Sequence, residues 1–346
     1  MTPPAAASVS RHWSRRPTKQ LLDLRFKDLA LSIDGTWVAQ CVERLYEELA
    51  LKGLTLRPHV WLSEEWFSPT GVPGVAIPFY LAHPRLTQLE REIMFEAEGA
   101  TREACMKLLR HEAGHAVQHA FGIERKRRWQ RAFGRSSDPY PEYYRPNPGS
   151  KRFVQHLDGW YAQSHPDEDF AETFAVWLRP RSGWRKRYAT WPRALAKLQV
   201  VDELMGELAG MAPRNRRRGK PYAIVRLRRT LREHYDEKRA RYAGVYSQAY
   251  DANLRRVFGA DDARAGDPGA AGFIRKHRRE LRELVCEWTG EHQFTVDQLL
   301  KEMTSRCVEL EVRTSKPVDR LKLDFAVFLT AQTATTLHRG PGWHQL

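Results

Sequence analysis

The sequence predicts an α+β fold: a small mixed sheet with an edge strand and two site-bearing helices, followed by a mainly helical C-terminal region. Three observations carry this. Short apolar runs broken by proline sit at Leu54–Leu62 and Val75–Leu81, as strands do. Apolar stripes at helical spacing fill Arg102–Phe121, Pro166–Leu178 and most of the chain from Trp184 onward. No internal repeat is present, so neither a solenoid nor a propeller is expected.

Residues 1–20 read as a flexible tail of proline, alanine, serine and arginine with no periodic pattern. Asp34 is a plausible N-cap for a helix whose Trp37, Val38, Cys41, Leu45 and Leu49 recur at helical spacing until Gly53. Pro58 and Pro78 mark the two runs that follow as edge strands or breaks, with a Pro/Gly loop, Ser68–Gly74, between them. Arg102–Phe121 is predicted as a helix capped by Thr101 and stopped by Gly122. Pro139–Gly149 is too rich in proline for regular structure, and Pro166–Leu178 is a helix entered through Pro166 and left at Pro180. The expected organisation is a core over 21–180, a basic helical extension over 181–258, an Ala/Gly/Asp linker over 259–272 and a small helical part over 273–346. Within the last, Val308–Val312 reads as a strand.

Composition narrows the function classes. The 346 residues are 42% hydrophobic and 29% charged, ordinary for a soluble globular chain. No apolar run reaches the ~18 residues of a membrane span, since Leu321–Thr336 is broken by Lys322 and Asp324. The N-terminus has no apolar segment of the kind a signal peptide needs. Cys41, Cys105, Cys286 and Cys307 form no C-x-x-C pair, which argues against a disulfide scaffold or zinc ribbon and for a cytoplasmic chain with reduced thiols. Net charge is +15. Arg214–Arg241 holds twelve basic and three acidic residues, and Arg125–Arg135 six basic and none acidic. Such runs attract polyanions or acidic partners; solvated faces of a basic protein account for them equally well.

The chemistry concentrates in His111-Glu112-Ala113-Gly114-His115. On a helix, a spacing of four puts both imidazoles on one face, ~6 Å apart, so both reach one ion at ~2.0–2.1 Å. Glu112, one residue on, lies where it can hold a water bound to that ion. A third ligand is required. His119 lies ~12 Å from His111 along the axis, too far for one ion to take all three. The longer metzincin pattern fails at Gln118 and Phe121. A downstream helix, His165-Pro-Asp-Glu168-Asp-Phe-Ala-Glu172-Thr-Phe-Ala175, carries two carboxylates four residues apart. One can ligate while the other accepts the second N–H of a ligand histidine.

Together the two motifs resemble the gluzincin metallopeptidases, in particular a bacterial zinc-binding metallopeptidase family with an H-P-x-E-D-[FW]-A-E-x-[FW]-A helix. The catalytic domain of anthrax lethal factor has a related glutamate helix. The resemblance covers about Leu54–Leu178 and implies a zincin-like core with one Zn²⁺ held by His111, His115 and Glu168. It gives Glu172 the orienting role and makes Tyr161, seven residues before Glu168, the transition-state hydroxyl. His156, His165, Tyr140, Tyr143 and Tyr144 stay open as alternatives for that hydroxyl's task. Val75, Ala76 and Ile77 resemble the edge strand along which such enzymes align an extended peptide.

What the resemblance implies is peptide-bond hydrolysis by metal-activated water, with Glu112 as general base and a peptide or protein as substrate. Two other readings remain. One is a protease acting on nucleic-acid-bound proteins, although the DNA-associated H-E-x-x-H proteases use a third histidine in place of Glu168. The other is a nucleic-acid-binding module, with Arg214–Arg241 as the contact surface and zinc in a structural role.

Overall fold

A computed structural model describes residues 12–141, 144, 146–242, 251–259, 264 and 266–337. The chain divides into two compact units, one formed by 12–93 and 97–235, the other by 94–96 and 236–337. It is mostly helical, with one small sheet among the described residues.

The first unit opens on a 3₁₀ turn, His12–Arg15, and helix α1, Thr18–Leu22. The expected tail is therefore packed in its second half. Trp13 is buried and donates its indole N–H to Leu29 O at 3.1 Å, and Leu21 is fully buried. Helix α2 spans Trp37–Leu51 and is capped by Thr36, whose hydroxyl accepts from Ala39 N–H. Asp34, the expected cap, interacts with Ser32 instead. Gly53, at φ +77°, turns the chain out of the helix.

Strands β1 (His59–Ser63) and β2 (Gly74–Pro78) pair in parallel, His59 opposite Gly74 and Ser63 opposite Pro78. A sheet of this size buries little by itself, so helices supply most of the core. β2 is buried along its whole length, and Ala76 N–H already donates to Phe67 O at 2.8 Å. Val75, Ala76 and Ile77, expected to form a substrate-aligning edge, are buried, and the Phe67 bridge occupies Ala76 on the side away from β1. Phe79–Ala82, expected to continue the strand, forms a 3₁₀ turn leading to helix α3, Pro84–Met94.

Helix α4, Arg102–Phe121, begins at the Thr101 cap and ends at Gly122 in the left-handed region, as its punctuation predicts. Helix α5 is Arg127–Phe133 and α6 is Pro166–Leu178, followed by the short α7, Trp184–Arg187, and by α8, Pro192–Leu208. α4 packs directly on α6. Gly114 makes the approach possible: a Cβ there would stand 2.8 Å from Ala171 Cα, closer than packed atoms tolerate. α8 braces α6 from behind through Lys197, which pairs with the buried Asp169 at 2.5 Å.

The basic run is only partly helical. Residues 213–222 have no regular structure and run beside β1, where Gly219, Pro221 and Tyr222 carbonyls accept from His59, Trp61 and Ser63. Pro213, Gly219 and Pro221 explain the break. Arg214, Arg216, Arg217, Arg218 and Lys220 are exposed. The division between the units falls within α9, Leu231–Tyr242.

The second unit packs α10 (Asp251–Phe258), α11 (Ala270–Thr289), α12 (Gln293–Glu309) and α13 (Val318–Leu337) around Phe258, Ile274, Leu300, Met303, Phe325 and Leu329. α11 starts inside the expected linker. Val308–Val312 is not a strand: Val308 lies in the last turn of α12, Glu311 takes φ +52°, and Val312 N–H turns back to Cys307 O. The helical stripe of α12 simply runs further than the apolar pair suggests. No helix among the described residues is long and apolar enough to cross a membrane.

Candidate metal centre

His111 and His115 occupy successive turns of α4, and the local sequence keeps them there. Ala113, Gly114 and Ala116 let α6 close over the helix, so both imidazoles are buried. Opposite them, α6 is started by Pro166 and capped by His165, whose Nδ1 accepts from Asp167 N–H at 3.1 Å while its Nε2–H donates to Asp138 O at 2.8 Å. That cap fixes the first turn of α6 and with it Glu168.

Three donor atoms converge. His111 Nε2 is 3.1 Å from Glu168 Oε2, His115 Nε2 is 3.2 Å from the same oxygen, and the two Nε2 atoms are 3.2 Å apart. These are the donors of the one candidate cluster among the described residues. The triangle can be tested against a metal. Tetrahedral bonds of ~2.0–2.1 Å hold their ligand atoms about 3.3 Å apart, close to all three edges observed. The set fits zinc in its chemistry too, with two imidazole nitrogens and one carboxylate oxygen.

The surrounding hydrogen bonds orient these donors. His111 Nδ1–H donates to Glu172 Oε1 at 2.9 Å, which leaves the Nε2 lone pair facing the centre. Glu172 is itself held by Leu157 N–H at 2.8 Å on its other oxygen. Tyr140 donates its hydroxyl to Glu168 Oε1 at 2.8 Å and stacks its ring on His165, 3.8 Å between centroids. Glu112 is buried, and its Oε2 has no hydrogen-bond partner.

Charge follows geometry. Burial disfavours imidazolium at His111, but the hydrogen bonds and charges of Glu168 and Glu172 outweigh it and hold the group well above its ordinary pKa. His115 is raised in the same way, burial being overcome by Glu168. Glu168 is driven well below the carboxylate range: burial opposes this, and the charge of His115 and the hydrogen bonds of both histidines win. The trio favours positive charge at its centre, which a bound cation supplies as well as a proton does. Glu112 moves the opposite way, raised by burial despite the two histidines.

Other candidates fall outside the donor set. Tyr161 is buried with its ring 5.7 Å from that of His111, following Gly159 and Trp160, both in the left-handed region. Trp160 there is a strained residue, at φ +55°. His156 Nε2–H donates to Lys107 O, and Tyr144 donates to Gly159 O. Tyr143 lies outside the described residues. The tie from Leu157 to Glu172 had no sequence signal, since a backbone N–H carries none. Tyr140 was legible only as one of several tyrosines in a proline-rich loop.

The family described as "Putative zinc-binding metallo-peptidase" matches residues 90–187, the stretch that holds α4, α6 and every donor named above. No curated protein and no solved structure matches the chain.

Proposed function

We propose that the chain is a zinc-dependent peptidase of the gluzincin type, in which His111, His115 and Glu168 hold one ion. The observation that carries the reading is the near-equilateral donor triangle beside a buried carboxylate without a partner. Bound there, zinc supplies Lewis acidity and brings the pKa of an attacking water toward ~7.

The chain's own residues do the rest. Glu112 is the general base: burial raises its proton affinity, which suits a carboxylate that must take a proton and then pass it to the leaving amine. Glu172 keeps the His111 Nδ1 proton in place, so the ring presents the correct nitrogen. For the developing oxyanion we assign the donor role to Tyr140 ahead of Tyr161. The Tyr140 hydroxyl reaches a ligand carboxylate, and its side chain is 55% exposed, whereas Tyr161 is 5% exposed and packs against His111.

The test is hydrolysis of a mixed peptide pool by the chain before and after chelation. Activity lost with a chelator and restored by zinc supports the reading. Hydrolysis that is indifferent to metal removal overturns it.

A further inference from the structure

The first unit carries a groove of about 710 Å³ on a different side of α4 from the histidine pair, walled by α2, α4, residues 155–156 and the segment from the end of α6 to α7. Its size falls within the ~300–1,000 Å³ of small-molecule sites. Its charge is the unusual feature. Arg44, Arg102, Lys107, Arg110, Arg179 and Arg187 line it, against a single carboxylate, Glu103.

These cations are not equivalent. Arg110 is locked on the buried Glu48 by two bonds of 2.7 and 2.8 Å, which fixes the floor of the groove. Arg44 leans on the same carboxylate at 3.4 Å, and Lys107 on Asp158 at 3.3 Å. Arg102 donates to a neutral partner, Gln40 Oε1, at 2.5 Å. Arg179 and Arg187, both exposed, make no ion pair among the described residues. Three guanidinium groups from three elements therefore face one cavity without a carboxylate of their own. Gathering like charges costs free energy unless an anion offsets it.

The lining also speaks to the class of anion. Gln40, Gln155 and Ser182 add neutral hydrogen-bonding groups, and the one ring in the lining is the imidazole of His156, tied to Lys107 O at 2.8 Å; no Phe, Tyr or Trp lines the groove. A base or an aromatic side chain would find only that ring and the guanidinium planes to stack on, with no large apolar platform. Guanidinium forks match phosphate oxygens two at a time, and a compact oligophosphate packs more negative charge and more acceptor oxygens into one cavity than carboxylates spaced along a peptide.

We propose that this groove is a binding site for a compact oligophosphate, gripped by Arg102, Arg179 and Arg187. The phosphates belong either to a free inorganic chain or to the phosphate end of a nucleotide. The site does not depend on the peptidase reading. It uses none of the metal-binding residues.

Calorimetric titration of the chain with sodium tripolyphosphate, with ATP and with hexaglutamate tests it, at low and at raised salt. Saturable tripolyphosphate binding with Kd of roughly 100 μM or tighter at low salt is expected, weakening steadily as salt screens the groove. Equal or weaker ATP binding supports the free chain as source, and clearly tighter ATP binding supports the nucleotide. R179A/R187A should weaken tripolyphosphate binding by about tenfold or more while zinc content and melting temperature stay unchanged. Should that variant fail to fold, R179Q alone is expected to weaken binding by a smaller factor. Absence of saturable binding, unchanged affinity in the variants, or hexaglutamate binding as tightly as tripolyphosphate overturns the proposal.

Discussion

His111 and Glu172, sixty-one residues apart, meet at 2.9 Å from Nδ1 to Oε1, and Glu172 is anchored in turn by the N–H of Leu157. One helix thus carries the two histidines of the candidate site, while the other carries both the third donor atom and the carboxylate that holds His111 Nδ1. Glu168 and Glu172 of α6 have unequal work, and their replacement should have unequal results.

Removing Glu168 should abolish stoichiometric zinc binding, because two imidazoles alone do not close the coordination sphere. Removing Glu172 should leave one ion per chain but weaken it by about 10–100-fold. Competition with a chromophoric chelator measures both. If E172A lost the ion and E168A kept it, the two roles would be exchanged.

E112Q should retain zinc and lose hydrolysis by about 10²–10⁴-fold, the usual worth of a positioned general base. The substitution preserves shape, and the carboxylate oxygen it replaces has no bond to lose. Metal analysis beside steady-state rates separates loss of the base from loss of the ion. A variant that cleaves as fast as the parent removes Glu112 from the mechanism.

Y140F should lower kcat by about 100-fold at unchanged zinc stoichiometry if its hydroxyl serves the oxyanion. Y161F should cost less in rate, since it removes only a hydroxyl and keeps the ring that lies 5.7 Å from that of His111. The reverse order in kcat would return the role to Tyr161.

Gly114 carries a packing prediction. In G114A the new methyl would press on Ala171, so either α4 and α6 part or the backbone shifts. Overpacking of this kind costs about 1–3 kcal/mol. A lower denaturant midpoint at unchanged slope, together with weaker zinc binding, is the expected pair of results. A fully stable variant with normal zinc affinity would mean the helices do not approach as closely as described.

Acid should destabilise the first unit through two histidines outside the donor set. Burial pushes both His119 and His156 down to about 4. A pKa depressed on folding means the fold prefers the neutral ring. The stability is therefore complete above the unfolded value of ~6.5 and is lost as pH falls toward 4. Denaturant unfolding between pH 7 and 4 should show a loss of up to about 3 kcal/mol per ring from this source, smaller in H119Q/H156Q. Identical pH dependence in parent and variant would show that neither ring is held neutral.

Helix punctuation was legible at its strongest points. Thr101 and Gly122 bound α4, and Pro166 opens α6, because caps and breakers act through the backbone of their own neighbours. Where caps compete, the sequence misled: Asp34 and Thr36 are both good candidates, and only the path of the chain favours Thr36. The apolar run at Val75–Ile77 marked a strand correctly but not its exposure, since β2, one of only two paired strands among the described residues, is buried once Phe67 bridges Ala76 and the neighbouring core closes over it.

By itself, the sequence determined the types of donor and their spacing on each helix, because positions four apart on one helix share a face whatever the rest of the chain does. It could name His111, His115, Glu168 and Glu172 but not say how they meet. Only the tertiary structure decided that, by packing Gly114 against Ala171 so that two helices distant in sequence bring a carboxylate within 3.2 Å of both imidazoles. It also decided which tyrosine hydroxyl reaches the ligand set and where unpaired arginines gather. Those outcomes depend on contacts between remote segments, and local spacing carries no record of them.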